Sequence, residues 1–195
     1  MPKTENKVQF NLKNVHYALL TSDTGTPAWS TPVPVPGAVN LNLAASGDME
    51  PFYADGVVYY KSMADNGYEG DLEMARIIDQ MLQEVWGYTL VDTDNVMIEV
   101  ASVEPKAFAL LFQIDGDADN DLYVMYNCSG TRPAIAGATS TETKTPQTQT
   151  TTISATPLVS NDYVYARTTA ETPESVRTNW FKEVYLPSSA PGVGG

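Results

Sequence analysis

Apolar positions along the chain recur mainly with a period of two. Val39, Leu41 and Leu43 alternate with Asn40, Asn42 and Ala44, which predicts a half-buried strand. Across residues 67–76, Tyr68, Gly70, Leu72 and Met74 fall on one face and Glu69, Asp71 and Glu73 on the other. Three carboxylates on one side of a strand are tolerated only where that side is wet. Residues 8–12 and 15–21 also read as strands. The second sets Val15, Tyr17 and Leu19 against His16, Ala18 and Leu20, so both of its faces are expected to be covered. Residues 45–51 read as a loop and 52–61 as one strand, with Asp65-Asn66-Gly67 as the turn before the acidic strand. Residues 108–115 and 122–129 predict a hairpin, 147–156 a polar-faced strand despite its Thr and Gln content, and 163–168 another strand.

Helical spacing is rare. Met81, Leu82, Val85 and Trp86 form one apolar face, with Asp79 placed as an N-cap and Gly87 where a C-terminal glycine belongs. A helix this short needs a sheet to lie on, which makes Trp86 a core anchor. Pro173, Glu174 and Ser175 open a helical turn into Trp180. Residues 22–37 carry Pro27, Pro32, Pro34 and Pro36. Prolines at alternate positions disable one strand edge while Val33 and Val35 can still pair on the other, which predicts a protected edge; the alternative is a polyproline II recognition segment. No internal repeat of solenoid or propeller length is visible.

A chain of 195 residues with 43% hydrophobic content can bury one ordinary core, and the reading is a single domain over 1–187 followed by a flexible tail at 188–195. The first ten residues lack an apolar signal region and no apolar run is long enough to cross a bilayer, so the product is expected to remain in the cytoplasm where it is made, with no membrane partner. The formal charge of −13 is concentrated: residues 48–121 hold 17 acids against Lys61, Arg76 and Lys106, while 1–47 carry +1 and 122–195 are balanced. Such a surface repels phosphate, which argues against a nucleic-acid binder. It suits a conduit through which DNA passes without sticking, or simply solubility.

Candidate chemistry is sparse. His16 is the single histidine and Cys128 the single cysteine, so neither a histidine pair nor a disulfide within the chain can form. His16 is read as a packed or edge-strand residue and Cys128 as a small buried hydrophobe. Asp115, Asp117, Asp119 and Asp121 invite a calcium reading, but Asn120 stands where an EF-hand has glycine and Tyr126 where it closes on a carboxylate. A solvated hairpin tip is the simpler account. A calcium-dependent adhesion module resting on those aspartates, Trp29 and Trp180 is the alternative, and a carboxylate-pair hydrolase a remoter one. The expectation is a non-enzyme with no catalytic residue, cofactor or metal.

Several pieces, in this order along the chain, carry a resemblance: Lys13-Asn-Val-His-Tyr-Ala, Pro36-Gly-Ala-Val, Pro51-Phe-Tyr-Ala-Asp, Asn66-Gly-Tyr-Glu-Gly-Asp-Leu-Glu, Lys106-Ala-Phe-Ala-Leu-Leu-Phe, Tyr126-Asn-Cys, Thr131-Arg-Pro and Asn179-Trp-Phe-Lys. From residue 14 to about 187 the chain resembles the major tail proteins of long-tailed, non-contractile phages. The resemblance implies a mainly β fold, a tail-tube β-sandwich or barrel with one short packed helix and long loops. It implies hexameric rings that stack into the tail tube, the conduit for DNA ejection, assembled in the host cytoplasm and carried in the virion. The implied partners are further copies of the chain, a tape measure protein, a tail terminator, a distal tail protein and DNA in transit. Where some such proteins append an immunoglobulin-like domain this chain stops, so an undecorated outer surface is expected. Glu69, Asp71 and Glu73 are the expected lumen-facing residues. Residues 22–36, 45–66 and the C-terminal tail are the expected stacking contacts.

Overall fold

A computed structural model describes residues 5–47, 49–63, 66–139 and 146–188, with the backbone alone at 49–53 and 60–63. The expected turn residue Asp65, part of the Thr-rich 139–156 segment and nearly all of the 188–195 tail lie outside the described residues. The fold is mainly β and sandwich-like, as the alternation predicts. In chain order the strands are β1 (Gln9–Ser22), β2 (Ala28–Trp29), β3 (Val33–Pro34), β4 (Ala38–Ala45), β5 (Met49–Ala54), β6 (Val57–Met63) and β7 (Tyr68–Met74). Helix α1 (Asp79–Trp86) follows, then β8 (Thr89–Val91), β9 (Val96–Ile98), β10 (Phe108–Gly116), β11 (Asp121–Gly130), β12 (Gln149–Ala155), β13 (Tyr165–Arg167) and α2 (Glu174–Asn179). The large antiparallel sheet runs β2-β1-β10-β11-β12-β7-β4, with β3 added on β1 and β13 on β11.

β10 and β11 form the centre, and alternation sends their side chains into two cores. Phe108, Leu110, Phe112 and Met125 join Val15, Tyr17, Leu72, Met74 and Ile153 on one side, where α1 packs Met81, Val85 and Trp86. Ala109, Leu111, Val124 and Tyr126 point the other way, joining Ala18 and Leu158 under a C-terminal cover of Trp180, Phe181 and Tyr185. That double coverage is why residues 108–112 read as an unbroken apolar run. The two faces expected of residues 15–21 fall into these two cores. His16 stacks on Phe181 with ring centroids 4.7 Å apart, a packed residue as expected.

Four local features differ from the reading of the chain. β1 is one strand kinked at Asn14 rather than two: Asn14 takes φ 50°, and the pairing with β10 shifts register between Lys13 and His16, a bulge. Residues 52–61 are not one strand but parts of the β5–β6 hairpin, because Asp55 (φ 53°) and Gly56 (φ 76°) make the two-residue turn that Asp-Gly favours. The 45–51 loop is correspondingly shorter, with β5 beginning at Met49. Asp79 is not the N-cap of α1. Ile78 holds that position without a side-chain capping bond, and Asp79 opens the first turn paired to Arg76 at 3.1 Å, where its charge complements the helix dipole. Gly87 closes the helix at φ 71°, as expected.

The proline-rich segment behaves as the alternate-proline pattern requires. Val33 and Pro34 lie opposite Tyr17 and His16 on β1, and the Val35 amide donates to the Val15 carbonyl at 2.8 Å. α2 is a second short helix, grown from the turn expected at Pro173.

Candidate functional site

β7 sits one strand in from the end of the sheet, between β12 and β4. Its apolar face is buried, with Leu72 and Met74 at 1% and 0% exposure, while Glu69 and Asp71 are exposed and Glu73 half-buried. Strand register makes the polar face a ladder. Glu69 lies between Ala44 and Ser154, Asp71 between Asn42 and Thr152, and Glu73 between Asn40 and Thr150. The Thr152 hydroxyl donates to Asp71 at 2.9 Å and the Thr148 hydroxyl to Glu73 at 2.6 Å. None of the ion pairs among the described residues includes these three acids. Successive carboxylates on one face lie about 7 Å apart, within the Debye length of about 8 Å, so they repel one another and keep the face wet. The surface is acidic at the centre and flanked by neutral hydrogen-bonding groups. It offers hydration and repulsion of anions, and no nucleophile with a base.

β4, eight residues long, ends the sheet, and no strand among the described residues pairs with its outer edge. The other end is blunted by the two-residue β2 and β3, with Pro34 and Pro36 denying amides to a partner. Gly70 permits β4 to lie close on β7: a Cβ there would sit 1.7 Å from the Asn42 carbonyl oxygen. Beyond β4 the β5–β6 hairpin pairs with no other strand among the described residues, and Val57, Val58 and Tyr59 after its turn are 60%, 42% and 73% exposed. A second small hairpin, β8–β9, exposes Leu90, Val96 and Ile98. Neither apolar display follows from the alternation read in the sequence. The Asp55-Gly56 dipeptide was the available signal for the first, and Asp92-Thr-Asp-Asn95, with Asn95 at φ 53°, for the second.

The aspartates of the β10–β11 turn are engaged by the protein itself. Asp115 pairs with Lys13 and accepts from Gln113 at 2.8 Å, and the lysine chiefly holds its carboxyl below the usual carboxylate range. Asp117 accepts the Lys7 amide at 2.8 Å, Asp119 pairs with Arg177 at 2.9 Å, and Asp121, 9% exposed, accepts from Gln9 at 2.9 Å. Asn6 bridges the turn, its Oδ1 accepting the amides of Ala118 and Asp119. Among the described residues no cluster of three or more His, Cys, Asp and Glu side chains is arranged to hold a metal. Calcium at about 5 mM is therefore expected to leave Tm within about 1 °C of its value in chelator; a concentration-dependent rise would overturn this account of the turn. Trp29 and Trp180 are likewise occupied, their indole N–H groups donating to the carbonyls of Tyr126 and Tyr123 at 3.0 and 3.2 Å.

Cys128 is fully buried, and burial pushes its thiol up to about 12. A raised thiol pKa leaves almost no thiolate at pH 7–9, so a disulfide reagent is expected to label it only after denaturation. Stoichiometric labelling of the native protein within minutes would contradict this packing. No helix among the described residues is long and apolar enough to cross a membrane. Comparison of the chain with protein-family models and with curated proteins finds no match to either.

Proposed function

We propose that the chain is a non-enzymatic structural subunit that associates with copies of itself into stacked hexameric rings, forming the tail tube of a long-tailed phage. The observation that carries this reading is a wet carboxylate row on β7 beside an edge of β4 that no strand among the described residues pairs. An exposed edge of that length is a hazard in a protein that stays alone and a joint in one that adds strands between subunits. Strand addition at β4 extends the sheet from subunit to subunit and continues the acidic face around a closed ring, setting Glu69, Asp71 and Glu73 toward the lumen. Summed over many copies, that wall keeps DNA in transit from adsorbing. The exposed apolar residues of the β5–β6 hairpin, within the region expected to make stacking contacts, suit contact between rings. The order of the sequence pieces named above adds the virion setting, with a tape measure protein inside the tube and terminator and distal tail proteins at its ends.

The test is electron microscopy of the purified protein over rising concentration, alone and with tape measure and initiator proteins. Rings and tubes are expected, with β7 carboxylates on the inner wall of the reconstruction. Absence of any ordered polymer under every condition overturns the assembly reading, and a tube with those carboxylates outside overturns the lumen assignment.

A further inference from the structure

A groove on the molecule carries four aromatic side chains, those of Tyr68, Phe112, Tyr123 and Tyr165. With a volume of about 340 Å³ it opens between β4 and the β10–β11–β13 side, lined as well by Leu41 and Leu43, with Arg167 also contributing. Two ring pairs build its walls: Phe112 stacks on Tyr123 at 5.0 Å, and Tyr68 meets Tyr165 edge-on at 5.5 Å. Tyr165 remains 44% exposed. The counterpart of this groove stands elsewhere on the same chain. Tyr59 is the most exposed aromatic among the exposed large hydrophobic residues, beside Val57 and Val58, and the turn that presents them carries the exposed Asp55.

We infer that this groove receives the tip of the β5–β6 hairpin from a second copy of the chain. Three features favour that occupant. The groove suits one aromatic side chain with a branched neighbour, the composition of the tip, and buried aromatic anchors dominate such contacts. Its lining includes a cation in Arg167 where the tip brings an anion in Asp55. The hairpin is long enough to reach a neighbour: it leaves the sheet at the end of β4 and returns at Tyr68, and β5, 6 residues long, by itself spans about 20 Å. Between copies, each subunit gives a tip and receives one. Such a heterologous contact propagates, closing into rings or continuing as a stack.

This inference rests on the assembly reading and names the partner surface within it. The test introduces Val58→Cys and Tyr165→Cys, at positions 42% and 44% exposed, with the native Cys128 fully buried and out of reach. Under oxidation the double variant is expected to give a ladder of cross-linked oligomers in denaturing gels, while a mixture of the two single variants stops at dimers. Tyr59→Ser is expected to raise the concentration for half-assembly about tenfold without changing Tm. Charge reversal of Asp55 and Arg167 together is expected to restore part of what either reversal loses. Polymers that form without these cross-links, or a cross-link confined within one chain, overturn the groove assignment and leave self-assembly standing. Failure of the unmodified chain to polymerise under any condition overturns both.

Discussion

Trp86→Ala is expected to destabilise the protein by about 4 kcal/mol, lowering Tm by roughly 10 °C in calorimetry. Two terms act together. Trp86 is 1% exposed in the core beneath α1, so its removal leaves a large cavity among Met81, Val85 and Ile153. Its indole N–H also donates to the Gly130 carbonyl at 2.9 Å, and that buried acceptor would lose its partner. Trp86→Phe separates the terms: most of the ring is retained, and about 1.5 kcal/mol is the expected loss from the orphaned carbonyl and the smaller volume. A loss under about 1 kcal/mol for the alanine variant, by denaturant unfolding, would mean that α1 is not held by this anchor.

Gly70→Ala is the second large effect, expected at about 3 kcal/mol from a single added methyl. The new Cβ would lie 1.7 Å from the Asn42 carbonyl oxygen and 3.0 Å from Leu43 Cα, both on the backbone of β4. Backbone on a paired strand cannot rotate aside as a side chain would. Either β4 detaches locally or β7 shifts and disturbs Leu72 and Met74 behind it. Amide exchange separates the two routes: protection lost on β4 alone marks detachment, and loss spread through β7 and β12 marks the deeper shift. A variant as stable as the parent, with unchanged protection, would contradict the strand contact.

Much of this was legible because it is periodic. The two faces of β7 and of residues 15–21, the β10–β11 hairpin and the glycine end of α1 each follow from alternation or from one conformational preference. The carboxylate ladder was half legible: spacing set the acids on one side, but the Asn and Thr side chains that flank them come from strands thirty and eighty residues away and depend on register. The β5–β6 turn is hard to see in the sequence because residues 52–61 keep a strand-like composition straight through Asp55-Gly56. Asp79 carried the right residue type for a cap, but type alone does not set the boundary: Ile78 takes the cap position and Asp79 lies in the first turn, paired with Arg76. Least legible were clamps built on distant carbonyls. Arg177, 8% exposed in its side chain, donates to Asn120 and Thr169 besides pairing with Asp119, and Arg132 donates to the carbonyls of Val100 and Val103. No local pattern marks either arginine.

The double coverage of β10 and β11 also grades the molecule in stiffness. Amides at its centre can open only when both cores part, so they should exchange with solvent last, close to the rate of global unfolding. Those of β4, which pairs with β7 alone among the described strands, need only a local separation. A load reaching the subunit through its margin would thus be absorbed by small, reversible yielding at β4 while the spine keeps its shape, the behaviour of a leaf spring clamped along its midline.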